Sequence, residues 1–133
     1  MESEDRYGEI NRAIEKFKEL SIKCRYGSNI EEFISQDLIN EGLRPHLRVL
    51  YSAFERMSFY SLDDFERMKE MGASFRKQPR YDFSCHEQTA QEMFYTFATG
   101  KNKFTCDISE CIENLADFLS NYKAVLKFEE KKG

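Results

Sequence analysis

The sequence predicts an all-α protein, a compact bundle of five to six amphipathic helices. Apolar residues recur at steps of three and four along most of the 133-residue chain, which is the spacing of one helix face. The chain contains only six glycines and two prolines, whereas a β protein with many turns draws heavily on both. Strand-like alternation is weak, and its best example, residues 103–108, has no partner strand to pair with.

The first helix is predicted over about residues 4–25, with Gly27 placed to end it. Its apolar positions are Tyr7, Ile10, Ile14, Phe17, Leu20 and Cys24. A second amphipathic stretch opens at Ser28 and Glu31, whose spacing is that of a capping box, and it stops near Gly42. Both stretches therefore have a sequence signal at their start or their end.

The third helix starts around Pro45, which a first turn tolerates because its missing N–H would have no partner there. Its apolar positions are Leu43, Leu47, Leu50, Tyr51, Phe54 and Met57. The fourth helix is capped by Ser61 with Asp64 in the reciprocal position, and Tyr60 and Phe65 flank that cap as a hydrophobic staple. Its apolar face is predicted to continue through Gly72 and Phe75 until Pro79 forbids extension.

Residues 76–83 form the one long loop that the sequence predicts. A capping box of Ser84 and Glu87 opens the fifth helix, which Gly100 ends. The sixth helix, capped by Asp107 or Thr105, has the strongest apolar pattern of the chain. Its positions are Ile108, Cys111, Ile112, Leu115, Phe118, Leu119, Tyr122 and Leu126.

Together these helices predict one domain over residues 1–133, with a short charged tail from about residue 128. A chain of this length needs no metal or disulfide to hold a core. Its N-terminus is acidic with no apolar run behind it, and no window approaches a membrane span. We therefore expect a cytoplasmic protein, or one in the nucleus or the interior of a host cell, with reduced cysteines and no membrane contact.

The sequence argues against most small-molecule and metal chemistries. Its glycines are scattered, so no phosphate-cradling loop exists, and neither histidine has the Glu three residues before it that a di-iron bundle needs. Cys85, His86, Cys106 and Cys111 could in principle hold zinc. However, adjacent helical residues point about 100° apart, and the spacing from Cys106 to Cys111 is wide for a structural zinc site. We expect no metal and no cofactor.

A reactive thiol is the remaining enzymatic hypothesis. Cys85 and Cys106 would lie near the starts of the fifth and sixth helices, where the helix N-terminus lowers the pKa of a thiol. His86 could act as a base for Cys85, but neighbouring residues on a helix face different directions. A thiol-dependent enzyme or redox protein is therefore the third function considered, and simple burial of the cysteines is the plainer interpretation.

The net charge of −4 conceals an acidic–basic–acidic pattern. Residues 1–42 carry six basic and ten acidic side chains, residues 43–81 carry eight and five, and residues 82–133 carry six and nine. Six of the nine arginines lie in the basic middle. Among them, Arg44 and Arg48 are one turn apart and share a helix face.

The predicted loop adds a second basic group, in which Arg76, Lys77 and Arg80 lie next to Tyr81. Arginine beside aromatic residues suits either an acidic protein partner or a single-stranded nucleic acid. Aromatic residues that fit no helix stripe are a further interface signal, namely Phe59, Tyr95, Phe104 and Phe128. The plainer alternative is a solvated face with local ion pairs, to Glu41, Asp63 or Asp82.

These features predict a small non-catalytic interaction or regulatory protein of adaptor, inhibitor or immunity type. It would bind a protein partner, or a second copy of itself, through an arginine and aromatic surface. The candidate contact residues are Arg44, Arg48, Arg76, Lys77, Arg80 and Tyr81. The alternative function is an accessory nucleic-acid-binding protein that uses the arginine-rich segment 44–80.

Overall fold

The computed structural model describes residues 2–26, 43–77, 83–99 and 108–132, with side chains described for residues 7–23, 43–77, 83–93 and 109–131. These ranges form five helices: α1 (Glu2–Tyr26), α2 (Arg44–Met57), α3 (Leu62–Glu70), α4 (Ser84–Thr99) and α5 (Ile108–Lys132). The all-α prediction is confirmed. The predicted helix between Ser28 and Gly42 lies outside the described residues. In the described part of the chain, no helix is both long and apolar enough to cross a membrane.

The two longest helices, α1 and α5, pack along each other in antiparallel directions. Near the C-terminal end of α1, Ser21 contacts Ser109 at the start of α5. Towards the other end, Lys123 Nζ lies 2.6 Å from Asn11 Oδ1. Because the residue numbers of these pairs run in opposite directions, the two helices together form one antiparallel layer to which α2 and α4 are added.

The hydrophobic core lies between these helices. Helix α1 contributes Ile10, Ala13, Ile14, Phe17 and Leu20. Helix α5 contributes Ile112, Leu115, Ala116, Phe118, Leu119, Tyr122, Val125 and Leu126. The α2 stripe predicted from the sequence is buried as expected, except that Tyr51 is exposed. The helical spacing therefore identified the core faces of all three helices.

A buried polar contact joins α1 to α5 at one end of the pair. The Ser21 hydroxyl donates to the Ser109 carbonyl at 2.7 Å, and the Ser109 hydroxyl donates to the Ser21 carbonyl at 2.9 Å. Each buried hydroxyl thus has the partner that burial requires. This reciprocal pair fixes the register of the two helices, since sliding either one would leave both hydroxyls unsatisfied.

The predicted capping box at the start of α3 is confirmed. The Asp64 N–H donates to the Ser61 hydroxyl at 3.2 Å, and the Ser61 N–H donates to the Asp64 carboxylate at 2.8 Å. The bond from the Ser61 N–H, followed by those from the Ser61 hydroxyl and the Arg67 guanidinium, lowers the pKa of Asp64. The Tyr60 and Phe65 rings lie 6.0 Å apart across this cap, as a hydrophobic staple predicts.

The predicted continuation of this helix to Pro79 is wrong, because α3 ends in a Schellman motif around Gly72. Gly72 has a φ of +104°, in the left-handed region that glycine adopts without steric cost. Its N–H bonds to the Lys69 carbonyl at 3.1 Å, and the Ala73 N–H bonds to the Met68 carbonyl at 2.9 Å. A glycine that closes the last turn thus stops the helix well before the proline.

Replacing this glycine tests the backbone argument directly. Gly72→Ala is expected to lower the free energy of unfolding by about 1 kcal/mol, the cost of a Cβ at positive φ. A Cβ at this position would meet nothing within 4 Å, so the loss comes from the backbone alone. Urea unfolding followed by circular dichroism measures it, with the exposed Ser74→Ala as control. A Gly72→Ala stability equal to that of the wild type would contradict the Schellman interpretation.

Two other predicted boundaries are also corrected. Ser84 is not the N-cap that the predicted capping box requires, because α4 already includes Ser84. The Glu87 N–H bonds to the Phe83 carbonyl at 3.0 Å, so the helix starts one residue earlier than predicted. The ring of Phe83 is buried against Phe118, and this packing fixes where the helix starts. The charged tail expected from about residue 128 is instead the end of α5, where Phe128 packs against the core.

Candidate functional site

The structure divides the predicted basic residues into neutralised and unpaired groups. Arg76 and Lys77, in the segment after α3, face the acidic side of α5. The Lys77 ammonium lies 3.1 Å from the Asp117 carboxylate and donates to the Asn114 side chain at 2.7 Å. The Arg76 guanidinium lies 4.0 Å from the same carboxylate. Much of the positive charge of this segment is therefore offset within the protein.

The backbone of this segment is also held by α5. The buried Asn121 accepts from the Arg76 N–H at 2.7 Å and donates to the Arg76 carbonyl at 2.9 Å. Lys77, which follows, has a left-handed φ of +55°. The sequence offered ion pairing within the protein as the plainer alternative to partner binding, and this alternative applies to the segment. The acid is Asp117, however, and not one of the three acids that the sequence suggested. Arg80 and Tyr81 lie outside the described residues.

Sequence reasoning missed Asp117 and Asn121 as the partners of this segment. Both lie on α5. Asn121 is 45 residues along the chain from Arg76, and Asn114, one turn before Asp117, is 37 residues from Lys77. No spacing rule links positions so far apart. Two further basic residues are paired, Arg56 with the distant Glu129 on α5 at 2.6 Å and Arg67 with Asp64, three residues before it on α3.

Arg44 and Arg48 behave differently, as both are exposed on α2. Within the described part of the chain, neither forms an ion pair or a side-chain hydrogen bond. The first turn of α2 contains no acidic residue, and its N-cap, Leu43, provides no side-chain cap. This end of the helix therefore adds its own partial positive charge to that of the two arginines.

Exposed apolar side chains follow these arginines along the chain. Tyr51 is 41% exposed on the face that carries Arg44 and Arg48, and the α2–α3 junction presents Phe59 at 76% and Leu62 at 43%. The prediction that Phe59 stands outside the core is confirmed, whereas Phe128 packs against the core. Tyr95 and Phe104 lie outside the described side chains. We call Arg44, Arg48, Tyr51, Phe59 and Leu62 the α2 surface.

Cys85 and His86 occupy different environments in the first turn of α4. Cys85 is an exposed free thiol. The half-buried His86 ring lies 5.3 Å from the Phe118 ring and 6.4 Å from that of Phe83. This is the divergence that adjacent helical residues predict, and it separates the proposed base from the proposed nucleophile. Cys106 lies outside the described residues, and among those described no three ligating side chains converge on a metal position.

Cys111 corrects the expectation that the cysteines are reduced. The sequence placed this residue on the apolar stripe as a small hydrophobe, whereas in the structure it is half-buried and disulfide-bonded. Its partner cysteine is outside the described side chains. The apolar spacing of a helix face indicates burial and carries no information on which sulfurs pair, so it did not predict this bond.

The chain matches no protein-family model, no curated protein and no solved structure.

Proposed function

We propose that this protein is a non-catalytic interaction domain of regulatory, adaptor, inhibitor or immunity type, which binds an acidic segment of a partner protein across the α2 surface. One observation carries the proposal. Two arginines of α2 without an ion-pair partner in the described structure are followed by three exposed apolar side chains, on α2, in the turn after it and at the first residue of α3.

The energetics favour binding at this surface. Arginine and large aromatic residues contribute most of the energy in typical protein interfaces. Burying an exposed Phe or Leu side chain contributes about 1.5–3 kcal/mol when it is complete. Arg44 and Arg48 would lose no described internal ion pair when they bind a carboxylate, whereas Arg76 and Lys77 would have to give up Asp117.

The charge distribution also determines which way round a partner segment would lie along the α2 surface. Glu55 is exposed on α2 one turn after Tyr51, so the positive character is confined to the N-terminal end of the helix. The surface from Arg44 to Phe59 extends over about 20 Å, the length of four helical turns. A matching partner segment has its acidic residues over Arg44 and its apolar residues over Phe59 and Leu62.

The nucleic-acid alternative has less support. Binding a phosphate backbone depends on several cations that release counterions together. Of the basic residues that the sequence assigned to this function, Arg76 and Lys77 are engaged with Asp117 and Asn114. Two unpaired arginines on α2 fit a short acidic segment better than a continuous strand of phosphates.

The proposal is tested by affinity capture with the full chain, using Arg44→Glu and Phe59→Ser as surface variants. Lys69→Glu, an exposed change of the same charge on α3, is the matched control. Captured proteins are identified by mass spectrometry, purified and titrated calorimetrically. We expect one partner to bind the wild type and the control equally and each surface variant at least tenfold more weakly.

Equal binding of the surface variants and the wild type would overturn the proposal. Loss of capture after nuclease treatment, with affinity for a labelled strand that falls steeply with salt, would establish the nucleic-acid alternative instead. Binding to a second copy of the chain would appear as a concentration-dependent dimer that Phe59→Ser abolishes.

The cytoplasmic localisation expected from the sequence stays a prediction. The disulfide at Cys111 opposes it, because disulfides persist mainly in oxidising compartments.

A further inference from the structure

A groove of about 500 Å³ opens between α1 and α2. Arg12 of α1 and His46 and Arg48 of α2 line it, together with the hydroxyl-bearing residues Ser52 and Tyr122. This volume lies in the usual range for small-molecule sites. The groove thus brings basic groups from two helices to one concave surface, beside the α2 surface and sharing only Arg48 with it.

The positive charge at this groove is not neutralised by neighbouring acids. Within the described structure, Arg12, Lys16 and Arg48 form no ion pairs, and Glu9 is the one acidic residue among those that line the groove. Arg12 and Arg48 line the groove against this single acid, and Lys16 lies close enough to act on His46 without lining the groove. On α2, Arg56 is paired with Glu129, whereas Arg44 and Arg48 form no ion pair in the described structure, so the unpaired charge of this helix lies at its N-terminal end.

The pKa of His46 reflects the same concentration of positive charge. Burial, followed by the positive charges of Lys16 and Arg12, lowers the pKa of this imidazole. His46 therefore lies where the fields of two α1 cations overlap. The first turn of α2, in which His46 sits, has no acidic residue to offset them.

We propose that this groove binds the phosphoryl group of a small organic phosphate. A phosphomonoester carries nearly two negative charges above pH 7, which suits a groove lined by two arginines without ion-pair partners in the described structure. Guanidinium groups bind phosphate oxygens through paired hydrogen bonds, and a serine hydroxyl such as that of Ser52 can donate another. Ile10 and Val49 supply apolar wall for the organic part.

The chain has two histidines, of which His46 serves as the probe of binding and His86 as the control. A bound dianion favours the imidazolium form of His46, so its pKa rises towards and beyond the ordinary value. His86 packs between aromatic rings on α4 and does not line the groove. Its titration should stay unchanged. Proton NMR of the two imidazoles, at constant ionic strength set with sodium chloride, separates the two responses.

The experiment titrates the full chain with phenyl phosphate and, separately, with inorganic phosphate at pH 7.5. We expect a saturable shift of the His46 signal with phenyl phosphate and at least tenfold weaker binding in Arg12→Gln and in Lys16→Gln. Lys69→Gln, distant in sequence on α3, is the matched control and should bind as the wild type does. Circular dichroism confirms that each variant is folded.

Two results would overturn the proposal. Shifts of His46 and His86 that grow together without saturation would show general ion screening only. Inorganic phosphate binding as tightly as phenyl phosphate would contradict an organic ligand. Because Arg12 and Lys16 lie on α1, outside the α2 surface, these variants leave the proposed protein interface intact, and the two proposals can fail separately.

Discussion

Phe17→Ala is expected to lower the free energy of unfolding by about 4 kcal/mol, the largest single effect that we predict. Phe17 is 0% exposed and belongs to the core cluster between α1 and the helices packed on it. Removing its ring leaves a cavity that close-packed neighbours fill only in part. Chemical unfolding followed by circular dichroism measures the loss.

A loss of this size approaches the whole stability of a small domain. Phe17→Leu, which keeps most of the volume, should therefore be measured beside it and is expected to cost about 1.5 kcal/mol. The control is Ile22→Ala on the same helix, where the side chain is 58% exposed and the change should stay within about 0.5 kcal/mol. A Phe17→Ala effect as small as that of the control would contradict the packing of α1 described here.

Asn121→Ala is expected to cost about 2 kcal/mol, the second largest effect. This change removes both side-chain hydrogen bonds to the Arg76 backbone. It also releases the segment in which Lys77 holds a left-handed φ of +55°. Hydrogen exchange of the amides at residues 73–77 should accelerate, because their anchor to α5 is gone.

The comparison variant is Asp117→Asn, which removes the ion pairs of the same segment and keeps the backbone bonds of Asn121. Because Arg76 and Lys77 are exposed, their ion pairs with Asp117 are screened by solvent and contribute less than about 1 kcal/mol. An Asp117→Asn loss larger than that of Asn121→Ala would show that charge, and not backbone anchoring, holds this segment.

The apolar pattern identified most of the core correctly. Its success on α2 is typical, since Leu47, Leu50 and Phe54 follow a spacing that only helix geometry imposes. The capping box of Ser61 and Asp64 was equally predictable, because both partners lie within one turn. The apolar pattern failed at the end of α3, where it predicted that the helix continues to Pro79. Gly72 and Pro79 can both end a helix, and the sequence alone did not show that Gly72 acts first.

The candidate site was predictable only in part. Arg44 and Arg48 are exposed as expected, and so is Phe59. Lys16 and Arg12, which act on His46, were not singled out, because the groove between α1 and α2 exists only once the helices pack.

The sequence by itself determined that this protein is helical and which faces of α1, α2 and α5 are buried, since both depend on contacts within a few residues. Only the tertiary structure decided which basic residues keep their charge available. Arg76 and Lys77 meet acids and amides 37 to 45 residues away on α5, and Arg56 meets Glu129 73 residues away. Arg12, Lys16, Arg44 and Arg48 meet no such partner in the described structure. A charge pattern along the chain cannot distinguish these two groups, because Coulomb interactions depend on distance in space.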